Sequence, residues 1–237
     1  MTKFFDVSLL WVYFLQIVKG LPVNIGLFLI ITLFALFLGL VSGMARLKHI
    51  PVLKQIFGFF IHYTRGTPMV IQLFIVYYGL PVLVYKLFGV NINKWNPLIY
   101  VVIAYALNSA TFYSDAIRTA IISLGENQYE AGLMCGLTSF QTYRRIIIPQ
   151  AFFIAFPTIS INACVLMCDM SLAYLVGVSD VMGIATTLGK RTYHLLEAFI
   201  VAMFILVLVN LLLHSGTRFL ERRLENFSVR GKKNGNI

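Results

Sequence analysis

Gly189-Lys190-Arg191-Thr192 looks like the end of a phosphate-binding loop. A Walker A loop reads G-x-x-x-x-G-K-[ST], yet Ile184 and Arg191 stand at its two remaining anchor positions. The chain is therefore not expected to bind ATP itself. His49, His62, His194 and His214 are scattered, and no nucleophile elbow or metal-ligand cluster accompanies them. Cys135, Cys164 and Cys168 are odd in number and lack ligand spacing; Cys164 and Cys168 lie one helical turn apart, which suits packing. Two acidic positions stand out. Asp115 and Arg118, three apart, share a helix face, either as a local ion pair or as part of a gate. Asp169 interrupts an apolar stretch as MCDMSL, with Ser171 just beyond. Charges in such places mark pathways across a membrane. Tyr63, Gln72 and Asn108 are further polar candidates for a path lining.

The most structured polar segment is EAGLMCGLTSFQTYRRIIIP, Glu130 to Pro149. Asn127 is placed to cap a short helix, with Glu130 reaching back to it. Gly136 supplies the left-handed residue that ends that helix. Thr138 then caps a second helix with Gln141 three residues on, and Pro149 suits the first turn of the next span. The result is a helical elbow shaped to fill a groove on a soluble partner.

The elements that must hold these residues are helices in lipid. Of 237 residues 59% are hydrophobic and 12% charged, with a mean hydropathy of +0.84. A soluble domain is less apolar and carries about twice that share of charge. Uncharged runs cover Asn24 to Ala45, Gly66 to Tyr85, Pro97 to Ser114, Ile146 to Cys168 and Ala198 to Thr217. About 20 helical residues cross the hydrocarbon core, and no run alternates as a barrel strand would. The fold class read here is an all-α integral membrane protein of about five transmembrane helices. Residues 1–20 form an N-terminal interfacial segment turned by Gly20, Pro22 and Gly26; residues 21–220 form the membrane domain and 221–237 a basic tail. The second span is interrupted at Arg65-Gly-Thr-Pro68, a break tolerated where protein or a cavity satisfies the freed backbone. Pro157 is expected to kink the fourth span.

The net charge of +10 does not mark a nucleic-acid binder. With the N-terminus outside and five alternating spans, twelve basic residues, among them Arg46, Lys48, Lys54, Arg118, Arg144, Arg145, Arg218 and Arg230, fall inside. Six fall outside, including Lys3, Lys86 and Lys190, and Arg65 is ambiguous near a helix end. That asymmetry is the positive-inside pattern, and the basic residues also meet anionic lipid.

The elbow resembles the EAA loop of ABC-importer permeases, in which E-A-A, three residues, G, nine residues and I-x-L-P recur. Here stand Glu130, Ala131, Gly132 for the second Ala, Gly136, Ile146, Ile148 for Leu, and Pro149. RGTPMVIQLFIVYYGLP at Arg65 to Pro81, DAIRTAI at Asp115 to Ile121, and LERRLE near the end are similar to the polar amino-acid uptake family. At the K-D-T-S-L of that family this chain has Cys168, Asp169, Met170, Ser171 and Leu172. The resemblance implies one membrane half of a type I importer in a bacterial cytoplasmic membrane, with its C-terminus cytoplasmic. A second permease, identical or homologous, would complete the path. Separate ATPase subunits would carry ATP and Mg, and an extracytoplasmic binding protein would deliver an amino acid; this chain would bind no cofactor. The seven motif residues would couple to the ATPase, while Asp115, Arg118, Asp169 and Ser171 are the candidates for the substrate path. A lone channel or carrier and a membrane-embedded enzyme are the rival readings, and the coupling motif speaks against both.

Overall fold

The computed structural model describes residues 5–47 and 51–234, the side chains of 51–54 and 225–234 excepted. Lys3, Lys48, His49 and the side chains of Lys54, Arg230, Lys232 and Lys233 lie outside the described part. The described helices are α1 (Ser8–Ile17), α2 (Leu21–Leu47), α3 (Pro51–Gly66), α4 (Met69–Phe74), α5 (Leu80–Phe88) and α6 (Pro97–Ser123). After these come α7 (Asn127–Met134), α8 (Ser139–Thr142), α9 (Ile148–Asp169), α10 (Val181–Thr192) and α11 (Leu195–Asn234). Among the described residues five helical stretches are long and apolar enough to cross a membrane: Ser8–Leu47, Met69–Phe88, Pro97–Ser123, Ser139–Val176 and Leu195–Leu224.

Helix α6 is the hub, because one after another its residues are small. Ala104, Ala106, Ser109, Ala110, Ser114, Ala116 and Ala120 are buried, which lets α2 and α9 approach closely on either side. Gly39 and Gly43 of α2 complete the fit. A Cβ at Gly39 would lie 2.8 Å from the Cβ of Tyr113, and one at Gly43 would lie 3.0 Å from the Ser114 carbonyl oxygen. This is close helix packing through small residues, within one chain.

Prolines shape two of the other spans. A π turn at Ile75–Gly79 precedes Pro81, and another at Tyr143–Ile147 precedes Pro149. Proline donates no hydrogen bond to the carbonyl four residues back and crowds it; that residue is Tyr77 in one case and Arg145 in the other, and each lies in the widened turn. Pro149 lies in the first turn of α9, as the sequence suggested, although no break separates α9 from the turn before it. The elbow's second helix runs through it into α9, which also runs through Pro157.

The N-terminal segment differs from expectation. Pro22 and Gly26 sit within α2; between α1 and α2 stands only a 3₁₀ turn at Val18–Gly20, inside the continuous helical stretch Ser8–Leu47. Gly20 is required there, since a Cβ would fall 2.6 Å from the Asp180 carbonyl carbon and the Val181 nitrogen. Beside it Asn24 donates to Asp180 Oδ2 at 3.2 Å and accepts from the Val181 N–H at 3.0 Å. Asp180 caps α10 through Gly183 N–H at 2.8 Å. Burial pushes its carboxyl up to about 6, against the hydrogen bonds from Gly183 and Asn24 that favour the charged form. Tyr13 and Ile17 of α1 then pack with Val181, Ala185, Ala198 and Ala202 of α10 and α11.

Candidate functional site

Two polar assemblies are built on this frame. The first is the elbow at one end of the bundle. Helix α7 ends in a Schellman motif: Gly136 has φ +79°, its N–H bonds the Leu133 carbonyl at 2.9 Å, and the Leu137 N–H bonds the Gly132 carbonyl at 3.1 Å. Thr138 caps α8 reciprocally with Gln141, by bonds of 2.9 and 3.3 Å. The start of α7 departs from expectation. Its N-cap position is Glu126, which makes no side-chain cap bond, and Asn127 already lies in the first turn. Glu130 projects outward, its N–H bonded to the Glu126 carbonyl at 2.9 Å.

The elbow's two arms are clamped together from within. Tyr129 and Tyr143 rings lie 5.6 Å apart, and Tyr129 Oη meets Ser139 Oγ at 2.9 Å. Thr142 is fully buried beneath Gly132. Glu130, Ala131, Gly136 and Pro149 are exposed, Gly132 is buried, and Ile146 and Ile148 are half-buried behind them. Met134 at 90% and Phe140 at 72% exposure stand beside the exposed motif residues. A repeat-based motif does not count these two, because their role is read from where they point and not from spacing. The helical pair thus carries exposed apolar side chains on its outer surface.

The second assembly lies at the break between α3 and α4, just before the span Met69–Phe88, whereas the sequence placed the break inside the second span. Gln72 of α4 donates to the Thr64 carbonyl at 2.8 Å, the Thr67 carbonyl at 3.0 Å and Thr67 Oγ1 at 2.9 Å. Its own amide oxygen accepts from Asn108 of α6 at 3.0 Å. The break is thus stapled to the hub helix, and beside it opens a cavity of 460 Å³. Arg65, Thr67, Asn108, Ser109, Asn162 and Asp169 are among its lining residues. Tyr105 lines it too and donates to the main-chain carbonyl of Asp169 at 2.7 Å.

The ion pairs differ from the expectation. Asp115 does not pair with Arg118. Its two oxygens are divided between Arg46 Nη1 and Arg65 Nη2, each at 2.5 Å, while Arg118 Nε is buried with no hydrogen-bond partner among the described residues. Spacing shows only that positions 115 and 118 share a face. The neighbouring helices decide which cations reach the carboxylate. Of the four expected path residues only Asp169 lines the cavity; Asp115 touches it through Arg65, and Ser171 lies in the 3₁₀ turn Met170–Val176. Asn108 lines the cavity, Gln72 supports the wall, and Tyr63 is not part of the lining. Sequence reasoning missed Arg65, Thr64, Thr67 and Asn162. The signal for Arg65 is present in the residues: it is a charge beside a Gly-Thr-Pro helix break at the start of a span.

Residues 35–226 match the family described as binding-protein-dependent transport system inner membrane component. The chain belongs to this family. It is a membrane permease subunit and not a catalytic enzyme; in homologous systems the ATPase is a separate subunit. The permease is 34% identical over 230 residues to the L-cystine transport system permease protein TcyL of Bacillus subtilis (strain 168), covering 97% of this chain and 96% of that one. It is 30% identical over 210 residues to the arginine transport system permease protein ArtQ of the same organism, covering 89% and 93%. A chain in a crystal structure of an amino acid ABC transporter with histidines superposes with a TM-score of 0.79 at 25% identity, covering 93% of the permease and 100% of that chain. The permease therefore serves amino-acid uptake by an ABC importer, in the cytoplasmic membrane, together with ATPase subunits and a binding protein.

Proposed function

We propose that the permease forms half of a translocation path for a polar amino acid and passes it through the cavity at the helix break. The observation that carries this is the pairing of opposite charges in one lining: Arg65 suits a carboxylate and Asp169 an ammonium group. Thr67, Asn108 and Asn162 add neutral hydrogen-bonding groups between them. An amino acid presents both charges whatever its side chain, so the constant part of the substrate meets the charged part of the wall.

The elbow is the coupling element in this reading. Glu130, Ala131, Gly132, Gly136, Ile146, Ile148 and Pro149 seat it in a groove of the ATPase, which holds ATP and Mg. A second permease, identical or homologous, closes the path. The elbow and the C-terminus face the cytoplasm, and the binding protein docks at the opposite end. ATP acts through its differential affinity for the two arrangements of the ATPase pair, and the elbow conveys that difference to α9 because α8, the π turn and α9 are one continuous helical path.

The test is reconstitution of the purified permease–ATPase complex in proteoliposomes, with its binding protein on the side opposite the elbow, and uptake of labelled amino acid measured with and without ATP on the elbow side. Arg65→Ala and Asp169→Asn should each lower uptake at least tenfold, since each removes one charge-assisted contact worth roughly 1.5–3 kcal/mol. Uptake by the permease without its ATPase would instead support a lone carrier and sink this reading.

A further inference from the structure

We propose that Asp115 is a positioning residue that keeps the cavity's two opposite charges apart, and that the amino-acid site stays open because of it. This rests on the reading of the cavity given above. Arg65 and Asp169 line the same 460 Å³ space, and opposite charges in a poorly solvated space attract strongly. Arginine is long and flexible. Left alone it would turn to Asp169 and fill the space with an ion pair, leaving neither charge for a substrate.

Two contacts hold Arg65 back, and a third fixes its anchor. Arg65 Nη2 forms an ion pair with Asp115 Oδ2. Its guanidinium lies over the Phe112 ring, 5.4 Å from the centroid. Asp115 is itself fixed from the far side by Arg46 at the end of α2, through Oδ1. Arg46 is only 18% exposed and Asp115 27%, whereas Arg65 is 45% exposed, so the anchor is sheltered and the charge it holds is presented. Arginine has five N–H donors, and with Nη2 held by Asp115 the others remain for a carboxylate. Asp169 is fixed in a complementary way. Its backbone is pinned by Tyr105, while among the described residues no hydrogen bond or ion pair reaches its carboxylate. The wall thus presents a cation held by its own counter-ion and an anion left free for an incoming ammonium group. Asp115 does not line the cavity; it acts through Arg65.

The experiment reads whether the cavity is open and needs no substrate. In the permease–ATPase complex, Cys135, Cys164 and Cys168 are replaced by Ser and Asn162→Cys is introduced in the cavity wall. The rate of its reaction with N-ethylmaleimide, an uncharged reagent, is then measured. Asp115→Asn should slow that rate about tenfold, as Arg65 closes on Asp169. Asp115→Glu should restore it. Asp115→Asn combined with Asp169→Asn should restore it as well, because no pair can then form; simple damage to packing would not be repaired by the second change. An unchanged rate in Asp115→Asn, or a loss that Asp169→Asn does not repair, overturns the proposal. Amino-acid uptake by the unmodified complex tests the reading of the cavity separately, since the thiol rate does not depend on any ligand.

Discussion

Thr142 occupies the space that a methyl group on Gly132 would need. A Cβ built at 132 falls 2.5 Å from Thr142 Cγ2 and 2.8 Å from its Oγ1, distances no real contact sustains. The departure from the E-A-A pattern at Gly132 is therefore one half of a pair, and the other half lies ten residues on in α8. Gly132→Ala should loosen the elbow by about 1–3 kcal/mol through overpacking. In a background of Thr142→Ala the same change should cost clearly less, since Cγ2 and Oγ1 are gone, only the Cβ of residue 142 at 3.2 Å must give way, and alanine favours a helix over glycine by up to about 1 kcal/mol. Recovery of the ATPase with a tagged permease, measured for the two single variants and the double, checks the coupling. Additive losses would show that the two sites are independent.

Gly136→Val acts on the same elbow through the backbone alone. Nothing lies within 4 Å of a Cβ at this position, so the substitution meets no steric obstacle. Its cost is the left-handed φ of +79°, about 1–3 kcal/mol for a β-branched residue. Losing that conformation breaks both bonds of the Schellman motif and swings α8 relative to α7. Membrane abundance should stay near normal, because the spans do not depend on the elbow. Uptake and ATPase recovery should fall together. Retention of both would remove the elbow from the coupling mechanism.

Asp180 gives a pH signature at the other end of the bundle. Burial raises its carboxyl from 3.8 to about 6, so between those values the folded state holds a proton that the unfolded chain has released. A state that binds more protons is favoured at lower pH. This group's contribution is thus most favourable below about pH 4, and it is lost as pH rises through 6. Asp180→Asn keeps a good helix cap and cannot ionise. The difference in thermal midpoint between wild type and variant, followed in detergent from pH 4 to 7, should shift in the variant's favour with rising pH and level off above 6. A pH-independent difference would mean that Asp180 does not titrate in this window.

The features legible in the residues and those hidden from them divide by the range of the forces involved. The five spans and the break at Arg65-Gly-Thr-Pro68 are legible, since apolar run length and a helix-breaking dipeptide are local. Gly136 and the Thr138–Gln141 box are legible for the same reason. The cap of α7 falls at Glu126 and not at Asn127, because both residues suit the start of a helix. The Asp115 pairing depends on a longer range: Arg46 and Arg65 are 69 and 50 positions away in sequence, and only the packing of α2 and α3 against α6 brings them to it. Pro22 and Gly26 read as turn residues, yet in a lipid-facing helix every backbone group prefers an intrahelical bond, and the helix runs through them.

The last expectation concerns Gln72, the staple of the break. Its amide nitrogen serves the Thr64 carbonyl, the Thr67 carbonyl and Thr67 Oγ1, and its oxygen receives Asn108. The side chain is 6% exposed, so water cannot readily replace it. Gln72→Leu keeps the volume but strands two carbonyls and one amide N–H, at about 1–3 kcal/mol for each buried group left unsatisfied. A fall of at least about 6 °C in the thermal midpoint of the purified permease is expected, from three such groups at about 2–4 °C per kcal/mol for a chain of this size. The cavity wall shares these groups, so uptake should fall at temperatures well below the midpoint. Asn108→Ala removes only the outer bond and should lower the midpoint by less than half as much. Should Gln72→Leu melt with the wild type, the freed carbonyls must have other partners, and the break is not held by this side chain.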